Sequence, residues 1–149
     1  MSDTGPVTIR QMLAEDLAAV AALTTALGYP SSDSDIKRRF DLIKDRWDAR
    51  LIVAHRQDRD VLGWIHVQAT YMLEADARAA IWGLVVAESA RRSGVGRLLI
   101  EAAEEWATMR GLNVMAVQSN TTRLEARAFY EHLGYEIVKT QNAFRKTLR

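Results

Sequence analysis

The 149-residue chain contains no cysteine, which removes disulfides, thiolate metal ligands and a cysteine nucleophile at once. Nowhere do about 18 apolar residues follow one another, so no membrane-spanning helix is expected. The opening MSDTGPVTIR lacks the basic and then apolar pattern of an export signal; the expected location is the cytoplasm, with no membrane partner. Twenty Lys and Arg against 19 Asp and Glu leave a net charge of +1, so nothing global attracts nucleic acid and any anion site must be local. The three histidines, His55, His66 and His132, are scattered without ligand spacing, and no metal is expected. There is no Gly-x-Ser-x-Gly elbow either, which with the missing cysteine argues against a covalent acyl-enzyme.

What is present is a globular composition, 48% hydrophobic and 26% charged, long enough for one core; residues 1–149 read as a single domain. VTIRQM (7–12) predicts a first strand. Leu17, Val20, Ala21, Thr24 and Leu27 recur on one helical face that Gly28 and Pro30 stop, and Ile36, Phe40, Ile43 and Trp47 make a second amphipathic helix after SSDSD. LIVA (51–54) and VLGWIHVQATYML (61–73) read as an antiparallel hairpin, and the nearly all-apolar AAIWGLVV (79–86) as a strand covered on both faces. Val95, Leu98, Leu99, Ala102, Ala103, Trp106 and Met109 keep helical spacing over 95–110 until Gly111. NVMAVQS (113–119) is a further strand. Ala126, Phe129, Tyr130 and Leu133, closed by Gly134, mark the last helix, and YEIVKT and AFRKTL predict two closing strands. The order β-α-α-β-β-β-α-β-α-β-β predicts an α/β (α+β) domain with a mixed sheet.

The stretch ARRSGVGRLL (90–99) joins the strand at 79–86 to the helix at 95–110. The first N–H groups of a helix lack internal partners and carry the positive end of its dipole, so this junction suits an anionic ligand. Gly94 and Gly96 keep Cβ atoms out of the way, while Arg91, Arg92 and Arg97 can add charge-assisted bonds. Spacing excludes two phosphate loops: no Gly-Lys pair exists for a P-loop, and position 99, where the dinucleotide fingerprint has its third glycine, is Leu99.

The remaining pattern, Arg91-x-x-Gly94-x-Gly96, follows the strand GLVV (83–86) and precedes a strand, Asn120 and AFYEHLGY (128–135). This combination resembles the GNAT family of N-acetyltransferases, over the whole length in element order and most specifically over 83–135. The resemblance implies the acyl-CoA N-acyltransferase fold, a mixed, mostly antiparallel sheet of six to seven strands flanked by about four helices, and acetyl-CoA as co-substrate. It implies that Arg91, Arg92, Ser93, Gly94, Val95, Gly96 and Arg97 hold the pyrophosphate. The backbone of Leu84, Val85 and Val86 would bond the pantetheine arm in a gap between their strand and 113–119, and Asn120 would contact that arm. Gly83 sits where a bulge would turn an N–H toward the thioester carbonyl; its alternative is close packing against Trp64 or Trp82. Tyr130 is the candidate acid for the departing thiolate, against a plain core role.

Many members of the family carry a glutamate on the strand before the glycine motif, yet AAIWGLVV has no carboxylate and Ala80 stands at a corresponding position. Glu74 and His66 are then the candidate bases, directly or through water. The resemblance implies a small-molecule amine as acceptor, aminoglycoside- or polyamine-like, read from the first two helices and the 68–79 connection. A protein N-terminus and a non-catalytic acetyl-CoA-binding module stand beside it as alternatives. Trp64 and Trp82 are open to a core, an acceptor-pocket or a homodimer role, and the sequence does not separate these.

Overall fold

The computed structural model describes residues 5–57 and 60–149, the side chain of Asp60 excepted. Five strands form one sheet in the order β1-β2-β3-β4-β5: β1 Val7–Gln11, β2 Ala49–Arg56, β3 Asp60–Thr70, β4 Arg78–Val86 and β5 Met115–Val117. The first four are successively antiparallel, and β5 runs parallel to β4. The helices are α1 Leu17–Ala26, α2 Asp33–Ile43, α3 Val95–Met109 and α4 Leu124–His132. By its contacts the chain divides into two compact units, one ending at Val117 and the other Gln118–Arg149. No helix among the described residues is long and apolar enough to cross a membrane.

Side chains alternate across a strand, so the first unit buries two apolar layers. On one face Val53 and partly buried Leu51 and Trp64 pack with Leu17 and Val20 of α1, Phe40 of α2, and Met12. On the other face Ile65 and Val67 of β3 are fully buried, as are Val95, Leu99 and Ile100 of α3. Gly63 lets α3 approach closely, for a Cβ there would stand 3.1 Å from Leu99 Cδ1 and 2.7 Å from the Val85 carbonyl oxygen. Ser32 caps α2 by accepting from the Asp35 N–H at 3.0 Å, while Asp35 accepts in return from the Ser32 N–H at 3.1 Å, a reciprocal capping box.

The sheet has five strands where six to seven are expected. YEIVKT and AFRKTL form none: residues 136–149 adopt no regular structure and are exposed. A lone hairpin is marginal in water, and within Gln118–Arg149 the only regular element is the nine-residue α4. Trp47 also departs from expectation. It lies beyond the end of α2, 67% exposed, with its ring 5.9 Å from that of Tyr71. β3 stops at Thr70, short of the expected 73, and β5 is three residues where seven are expected.

Entry into α1 is fixed by a near-buried ion pair. Arg10 Nη1 and Nη2 donate to Asp16 Oδ2 and Oδ1 at 2.8 and 2.9 Å, and the Leu13 N–H donates to Oδ2 at 2.8 Å. Burial disfavours the ionised carboxyl, but the Arg10 and Leu13 bonds outweigh it and hold Asp16 below the ordinary carboxylate value. Removing the charge strands the guanidinium, so Asp16→Asn should cost about 2 kcal/mol at neutral pH. Because the folded pKa lies below the unfolded one, this stabilisation is complete above the unfolded value and lost as pH falls through the folded one. Urea unfolding should therefore separate variant and parent at pH 7, and the gap should begin to narrow below about pH 4 and close only below the folded value; equal stability at pH 7 would show the pair to be idle.

Candidate active site

The register of β3 on β4 slips by one residue between His66 and Val67. His66 pairs with Gly83 and Val67 with Ile81, which leaves Trp82 as the extra residue of a bulge. The glycine is required by packing: a Cβ at Gly83 would come within 2.8 Å of Cη2 and Cζ3 of Trp64. That indole is itself anchored. Its Nε1–H donates to Thr24 Oγ1 of α1 at 3.0 Å, and the Thr24 hydroxyl donates to the Val20 carbonyl oxygen at 2.6 Å. The bulge is thus clamped between β3 and a ring tied to α1; Gly83 flanks its extra residue, Trp82, and packs closely on Trp64.

Pairing between β4 and β5 runs from Ala79↔Met115 to Ile81↔Val117 and stops one residue before the bulge. Leu84, Val85 and Val86 therefore have no β5 partner. An extended ligand laid there would gain strand-like bonds from the free edge. On the opposite side β4 stays fixed, with Val86 registered on Gly63 and the Ala87 N–H donating to the Leu62 carbonyl at 2.7 Å.

Past Val86 a 3₁₀ turn, Glu88–Ala90, leads into the exposed loop Arg91–Gly94 and then α3. Buried Ala90 and Val95 pin the two ends of that loop. The Ser93 hydroxyl donates to the Ala90 carbonyl across it. Arg92 has φ +66° and Gly94 φ +88°, and an added Cβ at Gly94 would meet nothing within 4 Å. The space over the α3 amides is thus open, and no acidic residue stands in the first turn to neutralise the positive helix end. Arg91 and Arg92 are exposed beside it. Arg97 donates to Glu101 at 2.9 Å; an exposed pair one turn apart is worth only about 0.3 kcal/mol, so an anion would compete for that guanidinium.

Of the two candidate bases, the register brings His66 to the bulge and not Glu74. Glu74 sits in the exposed connection beyond the Thr70↔Arg78 pair, itself four residues from His66, or about 13 Å along the strand. His66 is half-buried, and its Nε2 lies 3.1 Å from Gln68 Oε1. Burial holds the imidazole below its ordinary value; the Gln68 bond acts in the opposite sense, and the charge of Arg46 adds to the lowering. In the second unit, Asn120 Oδ1 accepts from the Thr122 N–H and hydroxyl at 3.0 and 2.8 Å, closing a local turn. Tyr130 stands edge-on to both Phe129 and Tyr135. Burial pushes its hydroxyl above the ordinary phenol value, partly offset by Arg123. The Trp64–Thr24 tether and Gln68 were not singled out from the sequence. Alternation over 61–70 does put Trp64, His66 and Gln68 on one face, but their partners lie elsewhere in the chain. Among the described residues no three His, Asp or Glu side chains gather as a metal ion would need.

Residues 16–135 match the acetyltransferase (GNAT) family. The chain belongs to that family, and it is an acyltransferase of the N-acetyltransferase kind. It is 31% identical over 103 residues to the aminoglycoside N(6')-acetyltransferase type 1 of Klebsiella aerogenes, covering 67% of this chain and 68% of that protein. To the protein of the same name from Serratia marcescens it is 27% identical over 138 residues, covering 90% and 94%. A solved structure of AAC(6')-Iy in complex with the bisubstrate analogue CoA-S-monomethyl-acetylneamine shares the fold, with a TM-score of 0.84 at 22% identity over 97% of this chain and 100% of that one.

The two ends of α3 offer a test of the anion site. Gly94 and Gly111 both have positive φ and both face open space, so an alanine at either should cost about 1 kcal/mol in stability. Only Gly94→Ala adds a methyl group over the helix amides. It should weaken acetyl-CoA binding at least about tenfold in calorimetric titration, while Gly111→Ala binds as the parent does. Equal affinities in the two variants would remove the loop from the binding site.

Proposed function

We propose that the chain works as one catalytic domain that transfers the acetyl group of acetyl-CoA directly to a primary amine of a small molecule, aminoglycoside- or polyamine-like. The observation that carries this reading is the course of β4. Its edge is released from β5 beside a glycine bulge and leads, through Leu84 to Val86, to the open N-terminus of α3. The names of the Klebsiella and Serratia relatives support an aminoglycoside-like acceptor.

In this mechanism the α3 amides with Arg91, Arg92 and Arg97 hold the pyrophosphate and the freed β4 edge holds the pantetheine arm; the roles of Asn120 toward that arm and of Tyr130 toward the thiolate come from the family resemblance. The Gly83 N–H bonds the carbonyl oxygen as it becomes an oxyanion; one such donor is typically worth about 3 kcal/mol. The amine nitrogen attacks the thioester carbon, the new C–N bond forms and the C–S bond breaks. His66 takes the proton the nitrogen loses, and Tyr130 returns one to the thiolate. A phenol is protonated at neutral pH without help; burial raises Tyr130 further, so transfer to the thiolate needs the phenolate stabilised as it forms.

Thiol release from acetyl-CoA, measured across a panel of aminosugars, polyamines and peptides, tests the proposal. An aminosugar or polyamine should give turnover, and Tyr130→Phe should lower kcat about 100-fold with acetyl-CoA affinity changed less than about twofold. Binding of acetyl-CoA with no turnover on any amine would make the chain a CoA-binding module instead, and turnover confined to peptides would move the acceptor to protein N-termini.

A further inference from the structure

β3 alternates, so Trp64, His66 and Gln68 project from one face. Their cross-strand neighbours differ sharply in size. Opposite His66 on β4 stands Gly83, with no side chain, and opposite Gln68 stands Ala80, with a methyl group; on β2 the partners are Leu51 and Ala49. None of these four side chains can donate or accept a hydrogen bond. The polar group that does reach the imidazole is Gln68, whose Oε1 lies 3.1 Å from His66 Nε2.

A carbonyl oxygen only accepts. With the Gln68 amide oriented so that Oε1 faces Nε2, the ring carries its proton on that nitrogen and leaves the lone pair on Nδ1; the flipped amide would give the opposite tautomer. We infer that Gln68 is a positioning residue for acetyl transfer, fixing His66 in the Nε2-protonated tautomer so that Nδ1 receives the proton of the acceptor amine. The inference rests on the acetyl-transfer reading above and deepens it at the same site.

The charges around the ring suit an uncharged base. α1, Leu17–Ala26, carries no ionisable side chain, and the facing residues of β2 and β4 are apolar. Arg46 acts on the ring from ahead of β2. Its guanidinium is bound by Asp48, Nε to Oδ1 at 3.0 Å and Nη2 to Oδ2 at 2.9 Å. Among the described residues no carboxylate acts on the ring, and burial with Arg46 lowers its value, which favours the uncharged, accepting form.

Nitrogen-15 NMR of the imidazoles in the full chain reads the tautomer without any turnover. The parent should show His66 with its proton on Nε2, and Gln68→Leu should lose that preference. Catalysis gives the second readout. Gln68→Leu should lower kcat about tenfold with the acetyl-CoA KM unchanged. Gln68→Glu puts a carboxylate beside the ring, favours imidazolium and should move the acidic limb of the kcat/KM profile up by about one pH unit. A parent spectrum with the proton on Nδ1 would overturn the inference. So would an acidic limb that stays in place in Gln68→Glu while NMR shows the His66 pKa has risen. Absence of acetyl transfer to any amine would instead overturn the reading beneath it, and the NMR tautomer tells the two failures apart.

Discussion

Where β3 runs from His66 to Val67, β4 runs from Gly83 back to Ile81, and Trp82 is left over. That one extra residue costs ladder bonds and is held by what surrounds it. The indole of Trp64 occupies the volume a side chain at Gly83 would need, and Thr24 ties the indole to α1. β3 supplies the ring and the opposing strand together. β5 lets go of β4 one residue before the bulge, at Ile81, so the distortion and the free edge share one stretch of backbone. A β4 paired on both sides along its whole length would offer a ligand no open edge.

From that point the chain builds the remainder of the first unit's site in sequence order. Gly83 to Val86 covers about 10 Å of extended strand, followed by a short turn, a pinned loop and the α3 N-terminus. The loop's conformation is set at its ends, by buried Ala90 and Val95, while its middle stays exposed. Rigid anchors with an open centre suit a backbone site for an anion, since the amides are oriented before the ligand arrives. Strand, loop and helix thus follow one another as a free edge, a pinned loop and an open helix end.

This part was legible in the sequence because it is local. The helical spacing over 95–110 matches the bounds of α3, although its buried face takes in Ile100 and Ala107 and leaves Leu98 and Met109 exposed, and a glycine inside an apolar strand located the bulge. The two closing strands were not legible: alternation in YEIVKT and AFRKTL shows which residues suit a strand, but it cannot supply a partner strand, and residues 136–149 form none. Trp47 continues the helical spacing of Ile36, Phe40 and Ile43, yet α2 ends at Ile43, since period alone does not mark a stop. The Trp64–Thr24 bond spans 40 residues and leaves no trace in either segment. Choosing His66 over Glu74 likewise needed the register, because eight residues of sequence hide which of them meets Gly83.

A histidine base kept below its ordinary value also constrains the order of bond making. An alkylammonium has a pKa of about 10.4 against about 6.5 for an ordinary imidazole, a gap of about four units or about 5 kcal/mol, and burial of His66 widens it. With His66 as the proposed base, stripping the ammonium before attack would therefore add that difference to the barrier. The proposed route avoids that cost when the acceptor binds uncharged and the proton moves after the C–N bond forms, when the nitrogen carries positive charge beside an oxyanion and has become far more acidic. At that stage a neutral ring of fixed tautomer next to the bulge is sufficient, and a stronger base would gain little. The lone carboxylate missing from β4 is then no obstacle to the chemistry, provided the Gly83 N–H stabilises the intermediate long enough for the imidazole to act.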